Sequence, residues 1–322
     1  MKRVCQLLSI HYPIIQGGMG NISSPILASA VSEAGGLGTI GTGTLSLEEV
    51  ESLLLDMKQR TAKPFALNIP ISVTTDLKGM CELAVKHAVP IVSLSAGNPA
   101  PYVPFLKECG IKVICVTASV KQAKKAEEAG ADLIVGEGYE AAGINSPLEI
   151  TTMTLIPQLV ASVQIPVVAA GGIGDARGFA AALALGAEGV QMGTRLIATE
   201  ESPYHERYLT KLLEANDTET VIVGRSVGKV RRVLRTEYAD QLIKAELSGV
   251  KPEDFAAMTD EEKHRIGAVE GRLGDGFING GQISGIVKSV PSVQKLLEDM
   301  VGGAVLIYKK QLKEFEHISL KS

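Results

Sequence analysis

Short apolar runs recur along this chain, with amphipathic stretches between them. They occupy residues 12–15, 37–40, 65–69, 91–94, 113–116, 133–135, 167–170 and 189–192. Successive runs stand roughly 20 to 35 residues apart, a spacing that suits strand–loop–helix–loop units. Each run is almost continuously apolar rather than alternating, as in strands buried on both faces, so the expected sheet is parallel. Helical patterns over 27–34, 120–129 and 178–185 each stop at glycine (Gly35, Gly130 and Gly186), and an apolar run follows shortly after. Eight parallel strands with outer helices predict a closed (β/α)8 TIM barrel. A doubly wound open sheet would carry an acidic residue at the end of its second strand. Here the second run ends in Gly41-Thr42-Gly43-Thr44, which argues against it.

After about residue 200 the pattern becomes more polar. Charged helical stretches lie near 204–216, 235–247 and 259–269, and glycine returns over 271–282. The expected organisation is a barrel built from 1–200 and 283–322. A mainly helical insertion over 201–282 would follow the eighth strand as a lid on the substrate side.

Composition narrows the function classes. The 322 residues contain no tryptophan and only 4% aromatics, which disfavours base stacking on nucleic acid. A net charge of -4 gives no support to a phosphate-backbone partner either. The single basic run, Lys229-Val230-Arg231-Arg232, reads as a solvated helix face. Cys5, Cys81, Cys109 and Cys115 form no CxxC pair and have no histidine at zinc-ligand spacing. No metal site is expected, and a reducing cytoplasm fits. The basic amino terminus has its apolar stretch broken by His11, Tyr12 and Pro13, so neither a signal peptide nor a membrane span is expected.

The candidate chemistry sits at strand ends. The seventh strand runs into Gly171-Gly172-Ile173-Gly174 and the eighth into Gln191-Met192-Gly193-Thr194. Glycine lets backbone amides approach a phosphate, and the loops after strands seven and eight of a barrel are its frequent phosphate site. The first strand leaves through Gln16-Gly17-Gly18-Met19-Gly20, where a flat ring system could lie against backbone. Asn68 ends an apolar third strand, and its amide must find polar partners.

Together the stretches YPIIQGGMG, AVSEAGGLGTIG, PFALNI, SAGNP, ITTMTL, PVVAAGGIG, GVQMGTR and GGQISG resemble the nitronate monooxygenase (2-nitropropane dioxygenase) family. That family includes the flavin-dependent enoyl-acyl-carrier-protein reductase II. The resemblance implies FMN at the barrel mouth. Gly17, Gly18 and Met19 would then touch the isoalloxazine, and Asn68 its polar edge. Gly171, Gly172, Gln191, Met192, Gly193 and Thr194 would surround the ribityl phosphate. It also implies small-molecule partners: an alkyl nitronate oxidised with dioxygen, or an enoyl thioester or quinone reduced with NADH or NADPH. A homodimer is a further expectation.

One departure matters. The family commonly carries a histidine after the sixth strand, in Glu-Ala-Gly-Gly-His. Here the stretch reads Glu140-Ala141-Ala142-Gly143-Ile144-Asn145-Ser146, so the histidine position falls on Ile144 or Asn145. Neither exchanges a proton at neutral pH. Glu140, Asn145, Ser146 and His205 are the remaining candidates, with Glu137 as a second carboxylate beside the flavin. The other histidines read as surface or packing residues. A nitronate is already anionic and needs no base, so the sequence leans towards nitronate oxidation ahead of an enoyl thioester or quinone reductase. An isomerase or aldolase acting on a phosphorylated metabolite is a further alternative, as is a non-catalytic flavin-binding module. No strand run contains the lysine a Schiff-base aldolase would use.

Overall fold

The computed structural model describes residues 2–319; Met1 and 320–322 of the expected barrel segments lie outside the described residues. The strands are β1 (Ile14–Gln16), β2 (Gly38–Gly41), β3 (Phe65–Pro70), β4 (Ile91–Ser95), β5 (Lys112–Thr117), β6 (Leu133–Glu137), β7 (Gly143–Ile144), β8 (Val167–Ala170), β9 (Val190–Met192), β10 (Thr220–Val223) and β11 (Arg231–Leu234). One eight-stranded parallel sheet runs β1-β9-β8-β6-β5-β4-β3-β2. It closes on itself where the Leu37 amide donates to Ile14 O and the Gln16 amide to Leu37 O, both at 2.9 Å. This is the TIM barrel, and each expected strand run falls on one of its strands.

The apolar runs fill two layers. Ile15, Leu37, Ala66, Ile91, Ile114, Leu133 and Val168 pack inside the barrel, whose floor is sealed by Val4 and Leu8 of the helix Lys2–Leu8. The alternate residues of the strands face the outer helices. Gly35, Gly130 and Gly186 have φ of +91°, +100° and +96°, the left-handed conformation that stops a helix and turns the chain towards the next strand. Lys112 extends β5 beyond the apolar run, but its ammonium bonds Leu7 O at the barrel floor, remote from the mouth.

The insertion is mainly helical, with helices Glu206–Glu214, Glu237–Leu247, Pro252–Met258 and Glu261–Ala268. It also contains an antiparallel hairpin, β10 and β11, which recruits β7 from the loop after β6 into a second sheet of order β10-β11-β7. The basic run is therefore corrected: it belongs to the middle strand of this sheet and not to a helix face. Arg231 and Arg232 are 6% and 4% exposed. Arg231 donates to Glu261 Oε1 at 2.9 Å, and Arg232 to Tyr139 O at 3.0 and 3.2 Å. Buried guanidinium groups need such partners, which only the folded insertion supplies.

After the insertion, a 3-10 turn, Gln282–Ile286, leads to the long helix Val293–Ser319. That helix docks on Ala176–Ala184, with Tyr308 Oη donating to Ala180 O at 2.6 Å. Among the described residues no helix is long and apolar enough to cross a membrane.

The helix Pro25–Glu33 lies so close to β2 that a Cβ at Gly38 would stand 1.9 Å from Ala28 O. Gly38→Ala should therefore lower unfolding free energy by about 1–3 kcal/mol, read from urea denaturation; an unchanged midpoint would contradict this packing.

Candidate active site at the barrel mouth

The carboxyl ends of all eight barrel strands open on one cavity of about 770 Å³, and the insertion forms its roof. Gly17, Gly18, Met19, Asn68, Gly171, Gly172, Gln191, Met192, Gly193 and Thr194 all line it. The structure thus brings every sequence-nominated cofactor residue to one place.

The two glycine rims differ in how they use glycine. Gly171 and Gly172, after β8, have φ of +95° and +72°, a turn that side chains resist. Gly193, after β9, has an ordinary φ of −116°; its special feature is space, since a Cβ there would meet no atom within 4 Å. Among the described residues the amides of Gly172, Ile173 and Gly193 donate to no acceptor in the chain. A phosphate set between the rims would meet these donors.

On the opposite side, a Cβ at Gly18 would fall 2.1 Å from Asn68 Oδ1, so the first-strand loop lies directly on the Asn68 amide. Asn68 Nδ2 is held by Ser95 Oγ at 3.1 Å and Ser93 O at 3.2 Å. Met19 accepts a hydrogen bond from Tyr204 Oη at 3.1 Å, and burial pushes that phenol well above its ordinary pKa. The GGQISG stretch also gains a role. Gly281 N donates to Thr194 Oγ1 at 3.0 Å and Gln282 N to Glu140 O at 2.9 Å, so the returning chain ties the loops after β6 and β9 together.

The acid–base candidates separate. Glu140 lines the cavity, but its carboxylate accepts from Thr152 N at 2.9 and 3.1 Å and caps the helix Thr152–Val160. Asn145 Nδ2 donates to Ala141 O at 2.8 Å, and Ser146 Oγ accepts from Leu148 N at 3.2 Å. Ile144 sits in β7 opposite Arg231, with its side chain 39% exposed. His205 is not among the lining residues; its Nδ1 accepts from Arg207 N at 3.1 Å and caps the helix Glu206–Glu214.

Of the remaining histidines, read as surface or packing residues, His264 packs in the roof at 2% exposed and also lines the cavity. Its ring stacks on Phe277 at 5.2 Å, beside Arg231 and Glu261. Burial pushes the imidazole pKa down. Glu261 is also buried, but the nearby His264 ring and the charge and hydrogen bond of Arg231 outweigh that burial and hold it at about 2. His264 Nε2 and Asn279 Oδ1 are buried without a hydrogen-bond partner. No local motif marks this cluster: its members come from β11, a helix and a loop, and only the folded insertion assembles them.

Glu137, the last residue of β6, also lines the cavity. Among the described residues no donor or cation is within reach of its carboxylate. Burial in the wall pushes its pKa up to about 7.

Comparisons with known proteins identify the family. The family model described as nitronate monooxygenase matches residues 2–80 and 71–303. A "Probable nitronate monooxygenase" of Staphylococcus saprophyticus is 34% identical over 74% of this chain and 80% of its own. An octahydro-indene-carboxyl-CoA dehydrogenase of Mycobacterium tuberculosis is 32% identical over 93% of this chain and 95% of its own. The solved structure of FabK from Thermotoga maritima is 40% identical, covers 97% of this chain and 98% of its own, and superposes with a TM-score of 0.93. Fold and relatives together define a TIM-barrel oxidoreductase. The chain belongs to the nitronate monooxygenase family, whose members are flavin-dependent.

Two measurements check these environments. His205→Ala removes a helix cap and should cost about 1 kcal/mol of stability in chemical denaturation; a loss of several kcal/mol would contradict a capping role. Glu137 holds its proton in the folded chain up to about pH 7, whereas an ordinary carboxyl loses it near 4.5. The unfolded chain therefore ionises first, and this group makes stability fall between those two pH values and level off above them. Glu137→Gln should flatten that decline, and an unaltered pH–stability curve would contradict the raised pKa.

Proposed function

We propose that this protein is an FMN-dependent oxidoreductase that reduces α,β-unsaturated acyl thioesters with NADH or NADPH. The observation that carries the cofactor is the pair of glycine rims after β8 and β9, whose residues line one cavity and whose amides have no acceptor among the described residues. Such amides suit a phosphate dianion, and the Gly17-Gly18 loop offers backbone rather than side chain to a flat ring. At about 770 Å³ the cavity lies within the range of small-molecule sites and leaves room for a substrate beside the cofactor. FMN, when bound, supplies hydride and electron transfer, while the protein positions the reactants and shields them from water.

The acyl thioester is favoured by the roof. FabK, an enoyl-acyl-carrier-protein reductase II, and the carboxyl-CoA dehydrogenase align with more than nine-tenths of this chain, insertion included. Both names describe thioester chemistry. The probable nitronate monooxygenase aligns over 74%. We weigh these two relatives above the order favoured by the missing histidine alone. Oxidation of an alkyl nitronate with dioxygen is the second reading, because Ile144 and Asn145 offer no base and an anionic nitronate needs none.

The purified protein should be yellow. Anaerobic NADH or NADPH should bleach its visible flavin band, and a trans-2-enoyl thioester should restore it. Restoration by alkyl nitronate with oxygen but not by the thioester would favour the second reading, and a protein that stays colourless with added FMN would remove both. Gly193→Val should fold with unchanged Tm yet lose its flavin on gel filtration, since the new side chain projects into open space in the cavity. Stoichiometric FMN in that folded variant would contradict the assigned phosphate site.

A further inference from the structure

We propose that the roof of the cavity carries an amide-recognition site, in which Asn279 and His264 together hold the amide of a bound reactant; this rests on the reductase reading above. One of the two side chains donates to the ligand's carbonyl oxygen, and the other accepts from its N–H. Two reactants of that reading carry such a group. One is the carboxamide of the nicotinamide ring. The other is the amide of the pantetheine arm that ends in the acyl thioester. The site binds and orients, and no bond of the ligand breaks there.

The two side chains meet only half of each other's hydrogen-bonding needs. Asn279 Nδ2 and His264 Nδ1 lie 3.4 Å apart, while Asn279 Oδ1 and His264 Nε2 are buried without a partner among the described residues. Burial lowers the imidazole pKa, so the ring is neutral, with one donor and one acceptor. If the Asn279 N–H donates to Nδ1, the unmet groups are Nε2–H and Oδ1. If the amide is turned so that its oxygen accepts from Nδ1–H, the unmet groups are the Nε2 lone pair and the Asn279 N–H. Both assignments leave one donor and one acceptor open on neighbouring side chains, the complement of an amide. Unmet buried groups are costly, so the pair calls for a ligand. The adjacent ions, Arg231 and Glu261, are paired at 2.9 Å, which favours a neutral ligand group over a phosphate or carboxylate.

The surroundings give a reactant room at this place. Asn279, His264 and Gly143 all line the cavity. A Cβ on Gly143 would come 3.6 Å from Asn279 Nδ2 and 3.9 Å from Oδ1, so the absent side chain leaves space beside the amide. Tyr208 Oη donates to Asn279 O at 2.5 Å, and the His264 ring stacks on Phe277 with planes 2° apart, so both residues are held in place. Glu261, one turn before His264, nearly touches the Gly17–Gly20 loop: a Cβ on Gly20 would stand 2.5 Å from its Oε2. The site therefore borders the loop assigned to the flat ring, and both reactants that exchange hydride with that ring come next to it.

The test pairs two variants, Asn279→Leu and His264→Phe, with ligands that differ only in the amide N–H. The nicotinamide arm compares NAD⁺ with its acetylpyridine analogue, in which a methyl ketone replaces the carboxamide. The thioester arm compares the butanoyl thioester of N-acetylcysteamine with that of 2-acetoxyethanethiol, in which an ester replaces the amide. All are titrated into oxidised, flavin-loaded protein by calorimetry, without turnover, after thermal melting has confirmed the fold of each variant. In the arm that supplies the ligand, wild type should bind the amide about tenfold or more tightly than its counterpart, and either variant should lose that preference. The other arm should show no preference, which names the source. Equal wild-type affinity within both pairs overturns the proposal, whatever the variants do, and assigns the two side chains to a buried water only. A preference that survives in a folded Asn279→Leu or His264→Phe overturns it as well. Failure of the reductase reading shows separately, as a nicotinamide-bleached flavin that a trans-2-enoyl thioester does not reoxidise, and leaves both binding measurements readable.

Discussion

The constraint on which the mouth of this barrel depends is the freedom of a few backbone amides. At the ends of β8 and β9 the chain keeps Gly172, Ile173 and Gly193 unpaired while the surrounding strand ends are bonded to their neighbours. Two different means achieve this. Positive φ at Gly171 and Gly172 turns one rim, and open space above Gly193 clears the other. Gly172 is exposed and Gly193 partly so, which leaves these donors open to solvent or a ligand. We read the two rims as the cradle for a cofactor phosphate, and the other parts of the site are arranged around it.

The insertion is more than a cover. Its hairpin draws β7 out of the loop after β6, the stretch where the family resemblance led us to expect a histidine. Gly281 and Gln282 then bond to Thr194 and to Glu140 O, so the end of the insertion fastens two barrel loops. Met19 is held from the same side by Tyr204. The roof and the cofactor rims are thus one hydrogen-bonded unit, and the shape of the space between them is set by residues far apart in sequence.

How much of this was legible in the sequence follows from the range of the interactions. The barrel strands and glycine-stopped helices rest on local patterning, and each appeared where the apolar runs placed it. The glycine rims were legible because strand ends of a barrel have fixed destinations. The hairpin was not: in the window around β11 the charges of Arg231 and Arg232 suggest solvent, and only Glu261 and Tyr139 make their burial tolerable. His264 escaped for the same reason, since it lies on a polar helix whose place over the cavity is decided by tertiary packing. Glu140 and Glu137 look alike in sequence, yet one caps a helix and the other is left free, a distinction that rests on the position of Thr152.

The central claim is that the protein grips its cofactor by the phosphate rather than by the ring alone. Parallel titration of the flavin-free protein with FMN and with riboflavin, which lacks only the phosphate, tests it most directly. The account predicts binding of FMN at least about a hundredfold tighter, the equivalent of roughly 2.7 kcal/mol. Equal affinity for the two flavins would contradict it.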